Sequence, residues 1–140
     1  MKISMKSVVQ QFKLSGDPSG ESGVTIRQVR TDDAIHLGDL FAEQTYTWDD
    51  ENNPSILRKW NPEKLKRARV YRTMVQVDIE DEDETGESVP VFKTGKNGVS
   101  SAMTESAFNI AWGKLPQGLA DEIYEYVLIV NPMWDVNSGE

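Results

Sequence analysis

The sequence predicts an α+β fold: a small antiparallel sheet of about four strands, with three or four helices of which the last two are adjacent at the C-terminal end. Three observations predict it. Two β-rich runs bracket a turn-forming segment near the N-terminus, a period-two ladder in the middle ends in an acidic turn, and the final third carries apolar residues at helical spacing. Strands and helices do not alternate as βαβ units require, which argues against a doubly wound nucleotide-binding sheet.

Residues 1–14 alternate loosely around Val8, Val9, Phe12 and Leu14, and Val24, Ile26 and Val29 follow a segment rich in Gly, Ser and Pro. Turn formers between two such runs predict a hairpin or two neighbouring strands. Thr31 ahead of Asp32 and Asp33 reads as an N-cap with acids in the positive first turn of a helix. Ile35, Leu37, Leu40 and Phe41 supply its apolar positions to about Gln44, weakened at Gly38. Tyr46 to Pro54 is too polar and turn-rich for a packed element and predicts an exposed loop. Asn61-Pro62-Glu63 starts another helix, with Asn as cap and Pro in the first helical position. That helix is expected to be short. From Val70 the residues Tyr71, Thr73, Val75, Val77 and Ile79 fall on one face of a strand, opposite Arg72, Met74, Gln76 and Asp78.

The acidic run with Thr85-Gly86 predicts the turn, and Val89 to Lys93 the returning strand, with Pro90 best placed at an edge. Gly95-Lys96-Asn97-Gly98 breaks structure again. Thr104-Glu105-Ser106 starts a helix whose apolar face is Ala107, Phe108, Ala111, Trp112 and Leu115. Gly113 and Pro116 end or kink it, and Leu119, Ala120, Ile123, Tyr126, Val127 and Val130 form a stripe that must stop at Asn131-Pro132. Tyr126 to Val130 also fits a strand. No internal repeat or dividing linker is present, so residues 1–140 read as one domain with mobile termini.

The chain has 140 residues, 15 Lys+Arg against 23 Asp+Glu, a net charge of −8 and no cysteine. Disulfides, thiolate metal sites and a cysteine nucleophile are thereby excluded, and a reducing compartment is expected. The apolar runs fall short of the roughly 20 residues that span a bilayer, and no secretory h-region is read, so neither a membrane partner nor secretion is expected. A pI near 4.7 argues against direct nucleic-acid binding. The charge is polarised along the chain. Seven cations lie between Arg58 and Arg72, and seven acids between Asp78 and Glu87. The plain reading is a solvated basic helix face beside a solvated acidic loop. Sharper readings are a basic patch for an acidic partner, and an acidic loop that imitates nucleic-acid phosphate.

Chemistry-bearing motifs are sparse. His36, the only histidine, stands between Asp32 and Asp39 at helical spacing, an arrangement that would serve a small hydrolase-like enzyme. It has no recognisable nucleophile elbow beside it. Paired carboxylates could do glycosidase chemistry, but 23 acids guarantee many accidental pairs. Asp81-Glu82-Asp83-Glu84-Thr85-Gly86 resembles the opening of a calcium loop, but its twelfth position is Phe92, which supplies no carboxylate. Gly95-Lys96 lacks the spacing of a phosphate loop. No catalytic residue, cofactor or metal site is therefore expected. What remains is recognition surface. Trp112 belongs to a helix stripe and reads as core, whereas Trp48, Trp60 and Trp134 border elements. The expected partner-binding residues are Trp48, Trp60, Met133 and Trp134, with the acids Glu80, Asp81, Glu82, Asp83 and Glu84.

The run from Val24 to Asp33 leading into a helix, followed by Phe108, Trp112, Leu115-Pro116, Glu122-Ile123, Asn131-Pro132 and Trp134, resembles small accessory proteins of tailed bacteriophages. The groups concerned are tail assembly chaperones and minor structural proteins of head or tail. The resemblance implies a non-enzymatic interaction protein in the host cytoplasm or the virion, with a protein partner or a homo-oligomer. The alternatives are an acidic nucleic-acid mimic that inhibits a DNA- or RNA-binding protein, and an enzyme using His36.

Overall fold

The computed structural model describes residues 8–16, 22–34, 37, 62–82 and 84–134. Alternation at the N-terminus folds as a hairpin: β1 (Val9–Lys13) runs antiparallel to β2 (Gly23–Arg27), with Phe12 opposite Val24 and Gln10 opposite Ile26. A side chain at Gly23 would bring its Cβ to 2.9 Å from the Phe12 carbonyl oxygen, so this pairing requires glycine. β2 is the buried centre of the three-stranded sheet, ordered β1-β2-β3.

Helix α1 (Pro62–Thr73) starts on Pro62 as expected but runs on through Tyr71 and Thr73, which the alternation had assigned to a strand. Val70, Thr73 and Val77 also fit helical spacing, and tertiary contacts favour the helix. The Tyr71 hydroxyl donates to the Met103 carbonyl at 2.8 Å, and within the helix the Thr73 hydroxyl donates back to the Arg69 carbonyl at 2.8 Å. Strand β3 (Met74–Val77) follows directly and pairs with β2. Val24 faces Val77 and Thr25 faces Gln76, but Ile26 faces Met74, so Val75 is an extra residue in a β-bulge. The bulge changes face in mid-strand. Met74 is therefore buried with Val77, against the strict alternation that placed it with the polar residues.

The acidic run is not only a turn. Glu80–Glu82 form β4, paired with β5 (Ser88–Pro90) in a separate two-stranded sheet. Its bend carries Gly86 at φ 83, a conformation that favours glycine. The returning strand is thus shorter than the expected Val89 to Lys93, and Phe92 turns into the core. Pro90 is tolerated because both strands of a lone hairpin are edges. The described residues thus hold five strands in two sheets, close to the expected count but divided.

Gly95 and Gly98 exchange both backbone hydrogen bonds at 3.1 Å, and the Asn97 N–H donates to Ser101 Oγ, so these three donors are satisfied within the loop. Helix α2 (Val99–Ala102) leads to α3 (Glu105–Gly113), whose N-cap Thr104 accepts from the Ala107 N–H at 3.1 Å. Helix α4 (Gln117–Val130) keeps Tyr126 to Val130 helical, which resolves the helix-or-strand alternative, and a 3₁₀ turn (Pro132–Trp134) closes the described chain. Phe108 is the hub of the core, with ring centroids 5.3 Å from Tyr71, 5.4 Å from Phe92 and 5.8 Å from Trp112. Trp112 is core, as its stripe predicts.

Candidate functional site

The polar residues divide into those that hold the fold and those that remain available to another molecule. Asp33 belongs to the first group. It is fully buried, receives Arg27 Nη1 at 2.6 Å and Arg72 Nε at 2.7 Å, and accepts the Arg30 N–H at 2.9 Å. The Ala34 N–H donates to the Arg30 carbonyl, so Arg30 occupies the cap expected of Thr31 and Asp33 reaches back as in a capping box. Burial pushes the Asp33 carboxyl up, but the bonds from Arg27 and Arg30, the Arg27 charge and the Arg72 bond outweigh it and hold the group below its ordinary range.

Arg69 is committed too. Its Nη1 donates to the Tyr124 hydroxyl at 2.8 Å, and its guanidinium lies 4.9 Å from the Trp134 ring centroid. The basic helix is therefore not simply a solvated face. Arg69 clamps α1 to the C-terminal turn, and Arg72 ties it to Asp33, which in turn holds Arg27 of β2. Asn131, also buried, accepts the Val29 N–H at 2.8 Å and donates to the Arg27 carbonyl at 3.2 Å, fastening the end of α4 to β2.

The expected contact residues scatter. Trp48, Trp60, Asp83 and His36 lie outside the described residues. Trp134 is half-buried against Arg69 and serves the fold, while its neighbour Met133 is 66% exposed. Glu80, Asp81, Glu82 and Glu84 are exposed on the hairpin and its tip. Among the described residues, no group of three or more His, Asp or Glu converges on a metal position.

Of the predicted set, Glu80 and Asp81 line a concavity. A groove of about 670 Å³ separates the β4–β5 hairpin from α3 and the start of α4, with an apolar floor that includes Ile79, Val91, Met103 and Leu119. Its walls carry Val89 and Ile110, the latter 63% exposed. A second trough of about 600 Å³ shares Ile79, Glu80, Pro116 and Leu119 with it and adds Asp78 and Glu122.

Glu122 is fixed in place. It accepts the Ser15 hydroxyl at 2.6 Å, the Ser15 N–H at 2.9 Å and the Tyr126 hydroxyl at 2.7 Å. Burial pushes its carboxyl up, and the bonds from Ser15 and Tyr126 more than offset this, leaving it below its ordinary value. The same carboxylate pushes the Tyr126 hydroxyl up to about 12, and the Tyr126 ring stacks on Phe12 at 4.3 Å.

Sequence reasoning missed the apolar walls of this groove. Ile110 was visible as a large apolar residue off the Phe108–Trp112 stripe of α3. Ala107 and Ala111, expected on the core face of that helix, instead line the groove with Ile110 and Lys114, Ala107 being exposed. The arrangement is suited to apolar burial beside carboxylates. No family model, curated protein or solved structure matches this chain.

Proposed function

We propose that this chain is a non-enzymatic protein-interaction module, of the accessory or assembly kind implied by its resemblance to small phage proteins. The observation that carries the reading is the open groove between the hairpin and α3. Exposed Ile110 and Val89 meet a partly buried apolar floor there, and carboxylates stand at the margin. An apolar core with a polar rim is the anatomy of an association surface. Exposed Met133 adds an adaptable apolar contact elsewhere on the surface.

A native mass measurement on protein purified gently from its producing cell tests the reading. A stoichiometric complex with another protein, or a homo-oligomer, is expected; a lone monomer contradicts it. The exposed acids on β4 and at the hairpin tip favour one second reading, an acidic mimic that occupies the cationic groove of a nucleic-acid-binding protein. The same measurement separates the two readings. Under mimicry, reversing the tip charges Glu84 and Glu87 releases the partner; under groove binding, it does not.

A further inference from the structure

We propose that the groove between the β4–β5 hairpin and α3 receives a cationic, amphipathic helical segment of a protein partner, an inference that rests on the interaction reading above. Charge selects the occupant. Among the described residues, the groove and its adjoining trough are lined by four carboxylates, Asp78, Glu80, Asp81 and Glu122, against one cation, Lys114. A segment bearing Lys or Arg beside its apolar anchors matches this lining, and one bearing phosphates or carboxylates is repelled.

The shape selects a helix. Pro90 lies on the wall, has no N–H and interrupts any strand addition along β5. On the facing wall, Ala107 and Ala111 present small side chains that permit close approach, with Ile110 between them as a knob. The nine residues of α3 extend about 13 Å, so an opposing helix would engage it over two to three turns, with anchors at i, i+3 or i+4, and i+7. A second copy of the chain is a poorer occupant. It carries the same net charge of −8, and its α1 commits Arg69 and Arg72 to internal contacts.

The test uses the full chain and a synthetic amphipathic Leu/Lys peptide of about 14 residues, with a Leu/Glu peptide and a Ser/Lys peptide as controls. Binding is followed by NMR of the protein's methyl groups. The Leu/Lys peptide is expected to shift Ile79, Val89, Ile110 and Leu119, while the controls bind at least about tenfold more weakly. I110D and the double variant E80K/D81K should each weaken binding about tenfold or more. I129D, which alters an exposed isoleucine outside the groove, should leave affinity within about twofold, as should the tip variant E84K/E87K.

Equal losses from E80K/D81K and E84K/E87K would reduce the effect to long-range charge and overturn the proposal. So would full affinity in I110D, Ser/Lys binding as tight as Leu/Lys, shifts confined to Met133 and Trp134, or a self-associated form whose groove excludes the peptide. A native complex that survives I110D overturns this inference alone. A native monomer removes the interaction reading itself.

Discussion

Asp33 shows how a single residue decides the local fold. A buried carboxylate is costly unless its oxygens are occupied, and here two guanidiniums and a backbone N–H occupy them. Removing the charge leaves the buried Arg27 guanidinium without its carboxylate counter-charge, though still donating to the Gln28 and Arg72 carbonyls. We expect Asp33→Asn to destabilise the protein by about 3–5 kcal/mol in urea unfolding. The sign of the pH dependence follows from the depressed carboxyl. The unfolded chain takes up its proton near 3.8, before the folded chain does. The Asp33 contribution is therefore whole above that value and is lost as pH falls through the lower folded value. Stability measured against pH in this acid window should flatten in the Asp33→Asn variant. Tyr126 behaves oppositely. Its hydrogen bond to Glu122 raises its titration from 10.0 to about 12, so that contribution is present below 10 and lost as pH rises through the folded value. In a tyrosinate absorbance titration, Glu122→Gln should return one tyrosine toward 10, and an unchanged profile would contradict the assignment.

At the scale of elements, glycine marks where chains meet. Gly98 sits at φ 101, and a Cβ there would lie 2.8 Å from the Met74 carbonyl oxygen and 3.1 Å from Val75 Cα. Gly86 has φ 83 but open space around it. Gly98→Ala should cost about 2 kcal/mol or more, and Gly86→Ala about 1 kcal/mol, because only the first adds a backbone clash to the conformational strain. Equal costs in thermal or urea unfolding would contradict this packing. The elements were legible where one signal dominated. The N-terminal hairpin, the Pro62 start, the Thr104 cap and the α4 stripe ending at Asn131-Pro132 could all be read from local residues. The junction at Tyr71 to Val77 could not, because Val70, Thr73, Met74 and Val77 satisfy helical spacing while alternate residues satisfy a strand. The choice is made by long-range bonds to Met103 and by a bulge opposite Thr25 and Ile26. The same limit hid much of the candidate site. Glu80 and Asp81 were conspicuous as charge, but the apolar wall they border is assembled from β5, α3 and α4, segments whose juxtaposition no local pattern encodes.

Over the whole molecule, opposite charges are put to different uses. Arg27, Arg69 and Arg72 turn inward to hold strands, helices and the C-terminal turn together, whereas the hairpin acids face outward. Among the described residues, the groove and trough lining carries Asp78, Glu80, Asp81 and Glu122 against Lys114. Such a surface favours cationic partners in encounter and relies on apolar contact for retention. Association should thus slow with added salt more than dissociation quickens. The most direct measurement is hydrogen–deuterium exchange of the chain in its native complex against the chain alone. Protection should concentrate at residues 79–81, 89–91 and 107–119. Protection confined to the 132–134 turn, or absent throughout, would contradict groove binding.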